Sequence, residues 1–155
     1  SRYVRQLLER LKSAIPEIAI RSTFIVGYPG ETEEEFRELC DFVQTSEFDR
    51  VGVFRYSSEE GTAAAQLSDS VTPEVKEERY HRLMTLQQEV SLKKNRQMVG
   101  KEVKLLCEGT TGRISSQAPE IDGITFLTNG TALVGEFVKA KIVDAKVYDL
   151  VAEPV

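Results

Sequence analysis

The sequence predicts an α/β module over residues 1–97, open at its strand edges, followed by a small antiparallel, OB-like β-barrel of five strands over residues 98–155. Three observations carry this. Up to Gln97, apolar residues recur every three or four positions in three segments that alternate with two β-rich runs, the pattern of helices packed on parallel strands. After Gly100 the period falls to two residues, as in strands with one buried face. Gly109, Gly112, Gly123, Asn129-Gly130 and Gly135 then supply turns at short intervals, which suits short antiparallel strands closing into a barrel.

The elements follow in order. Val4, Leu7, Leu8, Leu11 and Ile15 form one helical stripe that stops before Pro16, because a proline ring disfavours helical backbone in the residue before it. Ile18 to Val26 is β-rich and apolar on both faces towards its end, as expected of a parallel strand covered on both sides. Thr32-Glu33-Glu34-Glu35 reads as a capping box, with Thr32 as the cap and Glu35 reaching back. Phe36, Leu39, Cys40 and Val43 give the helix it opens a buried stripe. The second strand, Arg50 to Tyr56, leads into the small-residue loop SSEEGTAAAQLSDS. Thr72-Pro73-Glu74 starts a linker helix over 73–97, with proline at its first position. Val75, Leu83, Leu86 and Val90 are its expected inner face, and Lys93-Lys94-Asn95-Arg96 suit the negative end of its dipole. Beyond it, Val103, Leu105 and Cys107, then Val138, Ala140 and Ile142, alternate with polar positions.

The first module poses a physical problem. Two parallel strands and one crossover helix cannot cover both sheet faces and also protect both edges. The expectation is therefore an absent N-terminal portion, or a second chain that completes the sheet by self-association. The start at Ser1, inside a helical pattern and without Met, points to the former.

Bulk properties exclude several classes. The net charge of −5 gives no support to a protein that coats nucleic acid. Cys40 and Cys107 form no close pair, which suits two reduced thiols in a cytoplasmic protein, and no apolar run is long enough for a membrane span.

The stretch FIVGYPGETEEEF, residues 24–36, concentrates the chemistry. A phosphate loop would need a Lys near the helix start, whereas Glu31, Glu33, Glu34 and Glu35 crowd it and repel phosphate. The alternatives are a close-approach site at the carboxyl end of a parallel strand, with Gly27 near the ligand and Pro29-Gly30 fixing the turn, or a steric strand-to-helix bend. His81, the only histidine, lies on the linker helix and reads as a surface residue.

The segments IRSTFIVGYPGETEEEF, DRVGVFRYSSEEGTAAAQL and TPEVKEERYHRLMTLQQEVS resemble, in order, the end of the barrel in radical S-adenosylmethionine methylthiotransferases. TGRISSQAPEIDGITFL and KIVDAKVYDLVAEP resemble the TRAM domain of the RimO branch, so the resemblance covers nearly the whole chain. It implies that Gly27, Pro29, Gly30 and Glu31 shape the S-adenosylmethionine pocket and that the backbone of Val53, Phe54, Arg55 and Tyr56 reaches the adenine. Arg21 and Thr23 are weaker candidates. It implies no catalytic side chain, since a cluster and the cofactor carry the chemistry. The complete enzymes hold two 4Fe-4S clusters. Neither of the cysteine sets that bind them occurs here, so this chain alone is expected to hold no metal or cofactor and to be an inactive C-terminal part.

The implied reaction is methylthiolation of an aspartate in small-subunit ribosomal protein twelve. Two other readings stay open: a tRNA methylthiotransferase (MiaB-like), and a free-standing TRAM-type binding module whose α/β part dimerises. Residues 98–155 carry six basic and eight acidic side chains, a net of −2. That balance favours a basic ribosomal protein over RNA as partner, although Lys139 and Lys141 share one strand face. In Ala118-Pro119-Glu120-Ile121-Asp122-Gly123, Glu120 and Asp122 are expected to point outward as substrate contacts, with Ile121 tucked beneath.

Overall fold

A computed structural model describes residues 2–129 and 133–155; Ser1 and the predicted turn residue Gly130 lie outside them. The chain divides into two compact units at Gln87/Gln88.

In the first unit, helix α1 (Arg2–Ala14) ends before Pro16, and strand β1 is Arg21–Val26. The strand starts later than its β-rich run because Ile18 N closes a turn onto Ile15 O at 3.0 Å. Helix α2 (Glu33–Ser46) begins with the complete capping box on Thr32 and Glu35. Strand β2 (Arg50–Arg55) pairs in parallel with β1, Phe24 beside Val53 and Ile25 beside Phe54. Helix α3 (Pro73–Arg96) follows a single 3-10 turn at Ala64–Gln66.

One sheet face is packed and the other is not. Val26, Val53, Phe36, Val43 and Leu83 form the core between sheet and helices. On the opposite face Ile25 and Phe54 remain 56% and 62% exposed. The strand expected to be covered on both sides is thus covered on one. Of the predicted inner face of α3, Leu83 and Val90 are buried, while Val75 and Leu86 are half-buried.

The second unit is a closed barrel of five strands: β3 (Glu102–Cys107), β4 (Thr111–Arg113), β5 (Thr125–Leu127), β6 (Phe137–Ala145) and β7 (Leu150–Pro154). Around the barrel the order is β3-β4-β5-β7-β6. Four pairings are antiparallel as expected, and β5 with β7 is parallel. Closure removes every free edge. Leu105, Cys107, Ile114, Leu127, Ala140, Ile142, Leu150 and Ala152 fill the interior, and burial pushes the Cys107 thiol pKa up. The end of α3 joins this unit through polar groups: Ser91 Oγ donates to Val147 O (2.6 Å), and Asn95 Nδ2 to Lys146 O (3.0 Å) and Val147 O (3.1 Å).

Candidate functional site at the strand carboxyl ends

The turn between β1 and α2 is built by its own residues. Glu31 N donates to Tyr28 O at 2.9 Å, with Pro29 and Gly30 (φ 86°) at the corners. Proline at the first corner and a positive φ at the second define a type II turn. Gly27 also sits at positive φ (74°), and its amide donates to Glu31 Oε1 at 3.0 Å. Gly30 N donates to Ser70 Oγ at 3.2 Å.

Gly27 was expected to admit a ligand. It is buried, and the space a Cβ would take is filled by the Lys76 side chain of α3, with Cδ at 3.1 Å. The glycine therefore serves helix packing on that side. Lys76 itself pairs with Asp69 at 2.6 Å and lies over the Tyr56 ring at 5.1 Å.

Glu31 is not a free carboxylate either. Arg79 Nη1 donates to Glu31 Oε1 (2.6 Å) and to Glu31 O (3.1 Å). Next along the helix start, Glu33 accepts from Arg82 at 3.0 Å. That hydrogen bond is the main cause holding the Glu33 carboxyl below the usual carboxylate range. Both guanidinium groups stack over Phe36, Arg79 at 5.4 Å and Arg82 at 4.9 Å. The acidic cluster is thus half neutralised from α3, which the sequence alone did not reveal.

The predicted β2 residues divide between the faces. Val53 is buried in the helix-side core, so only its backbone could meet a ligand. Phe54 stands on the uncovered face beside Ile25, near Gly52 and Thr23. Arg55 pairs with Glu77 and lies over the Tyr80 ring at 5.3 Å. Tyr56 N donates to Val26 O at 2.8 Å, and its ring meets Tyr28 edge-on at 5.3 Å. The Tyr56 hydroxyl is buried and bonded to nothing in the chain.

Ile25 and Phe54 thus form an exposed apolar surface with Gly52 beside it. Among the described residues no three His, Cys, Asp or Glu side chains converge as metal ligands. Cys40, half-buried, and Cys107 lie in different units. Two cysteines fall short of the four thiolates that ligate a 4Fe-4S cluster.

In the barrel unit, the loop at 118–123 differs from expectation. Glu120 takes positive φ (64°), and Asp122 turns back so that its Oδ2 accepts from Ala118 N at 2.9 Å. Asp122 therefore shapes the loop instead of pointing out, and Ile121 is 67% exposed instead of tucked in. Glu120 keeps its outward position. On the outer face of β3 and β6, Lys104 lies directly opposite Lys139 and also covers the ring of the exposed Phe137 at 4.3 Å.

Comparison with known proteins fits both units. Residues 99–155 match the TRAM domain family. The chain is 48% identical over 97% of its length to the ribosomal protein uS12 methylthiotransferase RimO of Geobacter sulfurreducens, and 48% identical over 96% to that of Desulforamulus reducens. The RimO of Sorangium cellulosum is 46% identical over 97% of the chain. The chain is thus similar to RimO proteins over nearly its whole length. It spans about a third of the length of these relatives: 35%, 36% and 32% of them, respectively. Among the described residues no helix is long and apolar enough to cross a membrane.

Proposed function

We propose that this chain supplies one wall of the S-adenosylmethionine site and the substrate-reading TRAM barrel of a methylthiotransferase acting on ribosomal protein uS12. The observation that carries the reading is the similarity to RimO proteins across both units. The uncovered face of Ile25 and Phe54 beside the Gly27–Glu31 turn supports it, because a partial barrel leaves its inner face open. In this reading Gly30, Pro29 and the backbone of Val53 to Tyr56 border the cofactor, whereas Gly27 and Glu31 shape the turn from behind. In this reading the rest of the longer enzyme would hold the two clusters that supply the radical chemistry, and the chain by itself would be inactive. Uncovered, the same sheet face and edges drive self-association.

Calorimetry with S-adenosylmethionine tests this, on the chain and on an N-terminally extended form reconstituted anaerobically with iron and sulfide. Binding by the extended form alone is expected. Binding by neither refutes the cofactor reading.

For the substrate, the outward Glu120 is the contact for a basic protein, with Asp122 holding the loop that presents it. Reversing Glu120 to Lys should weaken capture of uS12 by the extended enzyme; unchanged affinity removes the contact. A second reading, RNA on the barrel, is favoured by one observation. Lys104 and Lys139 face each other across strands, where like charges are unfavourable unless an anion lies between them. RNA retention that falls in a Lys104→Glu, Lys139→Glu variant would support that reading.

A further inference from the structure

Arg79 is the most deeply buried charge in the first unit, only 4% exposed, and the proposed chemistry does not use it. Burying a guanidinium is unfavourable unless its surroundings return the lost hydration. Packing on Phe36 could be achieved as well by an apolar side chain. What an apolar residue could not do is hold Glu31. Arg79 Nη1 grips this residue twice, at Oε1 (2.6 Å) and at the main-chain oxygen (3.1 Å). Glu31 Oε1 in turn accepts the Gly27 amide at 3.0 Å. One side chain of α3 is thereby connected to both ends of the turn. The two positive-φ glycines make that turn soft without it, since glycine has wide backbone freedom. Arg79 Nε is buried and donates to nothing in the chain, so the guanidinium is aimed at the turn and not optimised for its own hydration.

We propose that Arg79 is a positioning residue, which through Glu31 fixes the Gly27–Glu31 turn in the shape that meets the cofactor. The inference rests on the cofactor reading above. Arg79 does not touch the cofactor; it sets the geometry of the backbone that does. Lysine is only a partial substitute, because a single ammonium lacks the rigid fork of donors.

The test uses Arg79→Met and Arg79→Lys, with two measurements. Amide hydrogen exchange by NMR on the chain compares Gly27 with Tyr56, whose amide bonds to Val26 O. Calorimetry on the extended, cluster-reconstituted enzyme gives the affinity for S-adenosylmethionine. Expected for Arg79→Met are at least tenfold faster exchange at Gly27, little change at Tyr56, and about tenfold weaker cofactor binding. Arg79→Lys should recover part of both. Uniformly faster exchange would make Arg79 a general stabiliser and overturn the proposal. So would local opening with unchanged affinity. If Arg79→Met does not fold, Arg79→Lys decides: selective exchange at Gly27 with weakened binding supports the proposal, and wild-type values in both measurements overturn it. Failure of the wild-type extended enzyme to bind the cofactor would instead refute the cofactor reading itself.

Discussion

Adding one methyl group at Gly27 separates two reasons for a glycine at that position. Gly27→Ala places a side chain at φ 74°, where an L-residue costs roughly 1–2 kcal/mol. The new Cβ also collides with Lys76 Cγ and lies 3.1 Å from Cδ and 3.2 Å from Cβ. Overpacking by one methyl costs about 1–3 kcal/mol. Lys76 can yield partly, because its head is held by the ion pair to Asp69 and by the face of the Tyr56 ring, contacts worth about 1 kcal/mol each or less. The net expectation is a loss of about 2–4 kcal/mol, read by urea denaturation monitored through tyrosine signals of the first unit. In a Lys76→Ala background the Cγ and Cδ contacts disappear while the φ term stays, so the cost of the same methyl should fall to about 1–2 kcal/mol. Equal costs in both backgrounds would refute the packing argument. A cost below about 0.5 kcal/mol in the wild-type background would refute both.

Three further outcomes follow from single contacts. Thr32→Ala removes the hydroxyl that caps α2 and should cost about 1 kcal/mol. Glu35 is held below the ordinary value near 4.5, first by the Thr32 amide and then by its hydroxyl. A depressed carboxylate stabilises above its unfolded pKa and loses that effect as pH falls through the folded value. The wild-type advantage in thermal melts should therefore shrink below about pH 4.5. Gly123→Ala would drive a Cβ into the Tyr148 carbonyl, which is backbone and cannot swing away, so the barrel should lose about 3 kcal/mol or more in melting followed by circular dichroism. Asn95→Ala leaves Lys146 O without its donor while Ser91 still serves Val147 O, a cost of about 1–2 kcal/mol by urea titration. Asn95→Asp, which cannot donate, should be worse.

Where structure follows from local chemistry, the sequence announced it. Thr32 with Glu35, and Pro73 after Thr72, mark two helix starts because a cap needs only a few neighbouring atoms. Alternation located Leu105, Cys107, Ala140 and Ile142 in the barrel interior. The parallel pairing of β5 with β7 was invisible, since a two-residue period is the same for either strand direction. The polar stripe of α3 was also missed. Arg79, Gln87, Ser91 and Asn95 are all buried, and each donates to a main-chain carbonyl. They recur at helical spacing around Leu83, but a search for apolar residues passes over them. Loop 118–123 was legible only in part: Glu120 is exposed as expected, but its positive φ, which a non-glycine seldom signals, accompanies an inward Asp122 and an exposed Ile121.

The acidic turn gains a second explanation in three dimensions. Charge alone argued against phosphate there, yet Arg79 and Arg82 neutralise much of that charge. The decisive term is instead the supply of donors. An oxyanion at a helix start is held by several converging free amides. Here the amides of Gly27, Gly30, Glu31 and Thr32 are already donated, to Glu31, Ser70, Tyr28 and Glu35, and Pro29 has none. With these four amides taken, the turn has little left to offer an anion. Its remaining function is shape: it ends the sheet with a fixed edge beside Tyr28 and Tyr56, next to a strand face where Ile25 and Phe54 offer apolar contact.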